Sequence, residues 1–473
     1  MKNSKYILSV ALFATSLLLS NCQPQTQPEG QENPQAELDI EDTKVIKQLF
    51  DEALTTRETY QLLDHLCNQI GTRLSGSEGA AQAVDWTEKV MSDYGFDKVY
   101  KQDLFVPNWK RGDKEVAKIL GSQDELTVLA LGMSVATPEE GLTAPVVQVQ
   151  GLEDVKEMGR EAIEGKIVFY NRPTDQRLIR TGAAYGGAVD QRVTGPAVAA
   201  QYGAVAVVIR SVGTAYDDVP HTGTTLYMDS IPKIPAAALG FQSADRLAKA
   251  LEQNPDTQLF LKMNCQTLED APSHNVIGEL TGTEFPDQII TIGGHLDSWD
   301  VGQGAHDDGA GCMQSIQVLR LFQKLGIQPK HTIRAVMFMN EENGTRGGKK
   351  YAELAEKNNE QHLIALESDA GAFTPRGFGV TAEDSTLTKF QSWLPHFDQN
   401  TIGYIKKGGG GVDIGPLHQT LGTPTIGFMP DSQRMFDVHH SANDVFSSVH
   451  PRELELGTAS MAGFIYLIDK YGL

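Results

Sequence analysis

The chain has 473 residues, a formal net charge of −21 with histidines neutral, and a 40% hydrophobic, 21% charged composition. That length exceeds one ordinary domain, so a main domain of roughly 300 residues with a second or inserted domain is expected. The acidic balance excludes nucleic acid and an anionic membrane surface as partners, because neutralising phosphates needs clustered Lys and Arg.

Lys2 and Lys5 precede an apolar run from Tyr6 to Leu19 that is too short to span a bilayer as a mature helix. Residues 1–22 therefore read as a signal peptide. The stretch Leu19-Ser20-Asn21-Cys22 resembles a bacterial lipoprotein processing box, although Asn21 departs from the usual small residue before the cysteine. Cys22 would carry the lipid and hold the protein in the cell envelope, in the periplasm or on the outer surface; ordinary secretion is the alternative. Residues 23–40, rich in Gln, Pro and Glu, have little to bury and read as a disordered linker. Cys67, Cys265 and Cys312 lack metal-ligand spacing and are expected as small buried residues, with a Cys67–Cys265 bridge the alternative.

Residues 41–125 form the first part of the main domain. Val45, Leu49, Leu54, Tyr60, Leu63 and Leu66 recur at helical spacing, a second helix runs through Val84, Trp86, Val90 and Met91, and a strand covers Lys98 to Phe105. Residues 126–270 change texture: short β-rich runs at 144–149, 166–170, 204–209 and 234–239 surround one helix at 243–252. They carry no cluster of ligand-type side chains and read as an inserted β-rich domain. Residues 271–473 alternate strands (288–293, 333–339, 363–367 and 424–428) with a helix at 310–325. That alternation predicts an α/β fold with a doubly wound mixed sheet sandwiched by helices.

Five segments of this last part concentrate the chemistry: GGHLDSWD around His295, HDDGAG around Asp307 and Asp308, MNEENG around Glu341 and Glu342, ESDAG around Asp369, and HHSAND around His440. Each follows the carboxyl end of an expected strand or sits in the loop after one, where open α/β sheets place their sites. Zn²⁺ prefers imidazole nitrogen and carboxylate oxygen, and two ions sharing a carboxylate need two His, a bridging Asp, two further carboxylates and a free carboxylate as base. The segments contain that inventory.

These motifs resemble the family-28 metallopeptidases, the co-catalytic zinc exopeptidases, and within them the carboxypeptidase Q group. The likeness runs from about Glu41 to Leu473 and includes His295-Leu296-Asp297-Ser298-Trp299-Asp300-Val301-Gly302-Gln303-Gly304 and Pro220-His221-Thr222-Gly223. It implies two Zn²⁺ ions per chain held by His295, Asp307, Glu342, Asp369 and His440, with Asp307 bridging. It further implies Glu341 as general base on a metal-bridging hydroxide, and a protease-associated identity for the inserted domain. Asp297 would orient His295, and Asp308 would either support the centre or cap the following helix, the peptide between Asp307 and Asp308 being cis. His440 is preferred to His439 as ligand because it directly precedes Ser441; His439 would donate to the oxyanion or line the substrate site. His221 is a candidate to reach over the site from the inserted domain.

Gly408–Gly411 lacks the Lys and Ser or Thr of a phosphate loop. Its backbone is expected to approach the substrate, with Asp413 either recognising a free α-amino group or capping a turn. The resemblance thus implies hydrolysis of terminal bonds in short peptides, as an aminopeptidase, dipeptidase or carboxypeptidase, with a homodimer possible. The alternatives are a single-zinc glutaminyl cyclase and a non-catalytic binding protein on the same fold.

Overall fold

Eight strands build the main sheet of the computed structural model, which describes residues 40–122 and 125–473. They are β1 (Lys98–Lys110), β2 (Gln266–Leu280), β3 (Phe285–His295), β4 (His331–Phe338), β5 (Gln361–Glu367), β6 (Pro375–Thr381), β7 (Tyr404–Lys407) and β8 (Thr425–Pro430). Their order is β1-β2-β4-β3-β5-β8-β6-β7. The centre is parallel, β3 pairing with β4 and β5, and β5 with β8; the long β1–β2 pair is antiparallel. Buried Val, Ile and Leu dominate the central strands, as expected when both faces are covered.

Helices α1 (Ile40–Thr56), α2 (Glu58–His65), α3 (Glu78–Asp93), α4 (Ala310–Lys324), α5 (Arg346–Asn358) and α6 (Pro451–Tyr471) provide much of that cover. One core joins Leu49, Leu63, Val84, Ile316 and Phe464 of the helices to Ile290 and Ile292 of β3. On the opposite face Tyr351 and Ala352 of α5 meet Ile277, Val336 and Phe338. The expected helix-sandwiched mixed sheet is therefore what forms. Helix α6, which starts with Pro451 at its first turn, was not among the sequence expectations, and neither were β6 and β7.

The expected single N-terminal helix is two helices, parted at Arg57 with φ 55°. Periodicity cannot register such a break. Thr55 and Thr56 turn their hydroxyls back onto the carbonyls of Asp51 and Glu52 at 2.7 and 2.9 Å, the competition with the helix ladder that β-branched hydroxyl residues introduce.

A second eight-stranded sheet is built wholly from strands between Val116 and Lys262. Its middle strands, Leu142–Val149, Ile167–Tyr170, Ala206–Arg210 and Ala236–Leu239, are parallel neighbours. Parallel neighbours require crossovers, so this segment carries more helix than its β-rich texture suggested, including Leu152–Ile163 and Gly195–Gln201 as well as Phe241–Gln253. The strands of this sheet begin before residue 126, and β2 runs unbroken across residue 270. Cys67, Cys265 and Cys312 are buried free thiols. The signal peptide, processing box and most of the linker lie outside the described residues. Among those residues no helix is long and apolar enough to cross a membrane.

Candidate active site

The parallel strands β3, β4, β5 and β8 end at one edge of the sheet, and each candidate ligand lies at or after such an end. His295 is the last residue of β3, Glu341 and Glu342 follow β4, Asp369 follows β5, and His440 lies in the segment after β8. Asp307 and Asp308, joined by a cis peptide, lead into α4.

The side chains converge. His295 Nε2 is 3.1 Å from Asp307 Oδ1 and 3.6 Å from Asp369 Oδ1. His440 Nε2 is 3.0 Å from Glu342 Oε2 and 3.3 Å from Asp307 Oδ2. His439 stacks on His440 with ring centroids 3.6 Å apart, and its Nε2 is 3.5 Å from Asp307 Oδ2. Potential ligand atoms of His295, Asp307 and Glu342 lie within 4.8 Å of one another, as do those of His295, Asp308 and Asp369 and those of Asp307, His439 and His440.

The electrostatics of this cluster fit a cation. Burial pushes the Glu342 carboxyl well above its ordinary value, the Asp307 charge adding to the effect, and burial together with Asp369 does the same to Asp308. Buried like charges are unfavourable unless an opposite charge sits among them. Asp307 Oδ2 and Glu342 Oε1 are buried without a hydrogen-bond partner, which leaves them free for such a charge. Burial and the neighbouring His439 push the His440 imidazole well below its ordinary value, keeping it in the neutral form that ligates metal. Imidazoles and carboxylates opening onto a cavity match the donor chemistry of catalytic zinc. Glu341 lines that cavity, and burial, reinforced by Asp369 and Asp307, pushes its carboxyl up to about 8.

The supporting residues differ in detail from the sequence expectation. Asp297 orients His295 through its main chain, its carbonyl lying 2.9 Å from His295 Nδ1, while its carboxylate stays 3.9 Å from that nitrogen. The carboxylate instead accepts the backbone N–H groups of Asn340, Glu341 and Glu342 at 2.7, 3.1 and 3.3 Å. Asp308 accepts from His295 N at 3.1 Å and from Gly311 N, in the first turn of α4, at 3.0 Å.

Asp413 is placed behind the glycine run, against Glu367. It is fully buried, lies outside the cavity lining, and donates its N–H to Glu367 Oε2 at 3.1 Å. The glycine run packs against the protein's own sheet: a Cβ on Gly411 would lie 1.9 Å from the Glu367 carboxylate. His221 is buried away from the cavity, yet its segment bridges to Ser441, and Thr224 Oγ1 donates to the Glu342 carbonyl at 2.9 Å.

Three further residues escaped the sequence reading. Asp444, already inside the HHSAND string, accepts from His306 N at 2.7 Å and Asp307 N at 3.1 Å. Fully buried Arg73 donates to the carbonyls of Leu296, Gln303 and Gly304 at 2.8, 2.7 and 2.9 Å, bracing the loop after His295. Arg192 of the second sheet's segment lines the cavity beside His440. Only Asp444 had a local signal, a carboxylate four residues after His440; the two arginines are contiguous with the site in space alone.

The cavity measures about 900 Å³ and is lined from both sheets' segments, with Asp307, Glu341, Glu342, Asp369, His439 and His440 among its lining residues. Residues 275–464 match the sequence profile of peptidase family M28. Over 410 residues the chain is 33% identical to carboxypeptidase Q of Bos taurus, covering 87% of this chain and 85% of that one. A solved peptidase M28 precursor from Shewanella amazonensis aligns at TM-score 0.86 and 34% identity, over 90% of this chain and 96% of that one. A zinc aminopeptidase from Bacillus subtilis shares the fold at TM-score 0.63 and 19% identity, over 86% and 94% of the two chains. The chain belongs to peptidase family M28 and is a zinc metallopeptidase.

Proposed function

We propose that this enzyme is a dinuclear zinc exopeptidase hydrolysing terminal bonds of short peptides. The observation that carries the reading is the shared position of Asp307, whose two oxygens lie 3.1 Å from His295 Nε2 and 3.3 Å from His440 Nε2. Each imidazole has a further carboxylate of its own, Asp369 for His295 and Glu342 for His440. His295, Asp369 and Asp307 would hold one ion, and His440, Glu342 and Asp307 the other. When bound, two zinc ions would polarise the scissile carbonyl and acidify the attacking water.

Glu341 takes the proton from that water and returns it to the leaving amine. Its raised proton affinity suits a group that must both accept and release a proton near neutrality. His439, stacked on His440, lines the cavity and would donate to the carbonyl oxygen as it gains charge. The Leu19–Cys22 sequence supports an exported chain tethered by lipid at Cys22, and the segment carrying the second sheet is read as an inserted protease-associated-like module.

Metal analysis of the purified enzyme should give two zinc ions per chain, and a mixed peptide library should release single residues or dipeptides. Glu341→Gln should keep both ions and lose about 10³-fold or more in kcat. One ion per chain would favour the cyclase reading instead, and a fully active Glu341→Gln enzyme would remove Glu341 from its role.

A further inference from the structure

The charges lining the cavity are unevenly committed. Its acids are Asp307, Glu341, Glu342 and Asp369, and its bases Arg180, Arg192 and Lys406. Under the reading above, all four acids are engaged in holding zinc or moving a proton. Among the described residues of the lining, no carboxylate is left to meet a peptide's amino terminus. The bases have no such engagement, since none of the three forms a salt bridge with an acid of the described residues.

Arg192 is the buried base, only 6% exposed. Its Nη1 donates to the Thr222 carbonyl at 3.2 Å and lies 3.3 Å from His440 Nδ1; its Nε has no partner, and its guanidinium sits 5.5 Å from the centre of the Tyr185 ring. A buried guanidinium without an anion is costly, and its planar fork matches the two oxygens of a carboxylate. Arg180 and Lys406 are exposed at the rim, where they draw anions toward the opening.

We infer that Arg192 binds the free α-carboxylate of the substrate, making this a carboxypeptidase or dipeptidase site and not an aminopeptidase site. The inference rests on the zinc exopeptidase reading. Because Arg192 touches the His440 ring, roughly 3.5 Å of chain, one residue, fits between a carboxylate on its fork and a carbonyl held at the centre. The residue released is therefore the C-terminal one. The specificity residue is supplied by the segment of the second sheet, whereas the catalytic residues belong to the main sheet's edge.

The test compares, on the zinc-loaded full chain, one dipeptide in free, N-acetylated and C-amidated forms. Acetylation should leave kcat/KM within about threefold, whereas amidation should lower it about 100-fold, mainly through KM. Arg192→Gln should lose about 100-fold on the free acid and little on the amide, and Arg192→Lys, which keeps charge without the fork, should fall between. Equal cleavage of acid and amide by the unmodified enzyme overturns the inference whether or not the variants fold, and so does a loss on acetylation alone. Calorimetric titration of the acid and amide into zinc-loaded Glu341→Gln, with and without Arg192→Gln, reads recognition without turnover. If no peptide is hydrolysed the exopeptidase reading fails, and this titration still decides the anchor. Acid preferred over amide, with the preference lost in the double variant, supports it; equal binding overturns it.

Discussion

Thr222 and His440 are joined in both directions. Thr222 N donates to the His440 carbonyl at 2.8 Å, and the Thr222 carbonyl lies 3.3 Å from His440 Nδ1. A candidate metal ligand on the main sheet's edge is thus oriented by a residue from the segment of the second sheet, the kind of outer contact that sets a ligating imidazole's tautomer and aim.

The Thr222 side chain holds that segment in place by donating to the Ala130 carbonyl at 2.9 Å. Thr222→Val keeps the volume and removes the donor. Zinc affinity should fall about 10-fold in chelator competition, with little change in far-ultraviolet circular dichroism. Unchanged zinc affinity would show that the backbone pairing holds His440 without this anchor.

Asp297 collects three backbone N–H groups from Asn340 to Glu342, the turn that presents both glutamates. Asp297→Ala strands those donors in a buried site. Denaturant unfolding should show a loss of about 2–4 kcal/mol, with kcat falling because Glu341 is no longer held. Full activity at reduced stability would confine Asp297 to folding.

Glu455 on α6 accepts from Thr59 Oγ1 at 2.7 Å and Tyr60 N at 3.0 Å, and burial pushes its carboxyl up to about 7. The folded protein keeps this proton up to that pH, whereas an unfolded glutamate loses it near about pH 4.3. The folded state therefore binds the extra proton between those values, and stability falls as the pH rises through the window. Glu455→Gln retains an acceptor and removes the charge. Its melting temperature should exceed that of the unmodified enzyme by roughly 2 °C at pH 8, the gain shrinking toward pH 5. A gain independent of pH would contradict the linkage.

Asp42 fastens the two ends of the described chain, accepting from Tyr466 and Tyr471 hydroxyls at 2.8 and 2.6 Å and pairing with Lys470. Asp42→Ala should cost about 2 kcal/mol in equilibrium unfolding. It should leave kcat and KM unchanged, because this α1–α6 contact is remote from the cavity lining. Altered kinetics would mean that α1 docking reaches the site.

The central strands and their loops were readable because chemistry and periodicity coincide there: a buried apolar run ends in a polar, ligand-type residue, as at Ile292 to His295. The Arg57 break was not readable, since no Gly or Pro marks it and the cause is a pair of hydroxyls turning onto carbonyls four residues back. Asp413 shows the limit of local pattern from the other direction. A carboxylate after four glycines suggests a substrate loop, but Gly409, Gly410 and Gly411 press against Gly379, Thr425 and Glu367, which leave no room for a side chain there.

From the sequence alone came the inventory of donors and their order along the chain, because a ligand's chemical type is carried by its own side chain and its place after a strand by local pattern. Only the tertiary structure decided how these donors pair, with Asp307 between His295 and His440, and which outer residues aim them. Asp297, Thr222 and Arg73 act through contacts made across strands, loops and the two sheets' segments. Such contacts exist only once the chain has closed, and no spacing along the sequence encodes them.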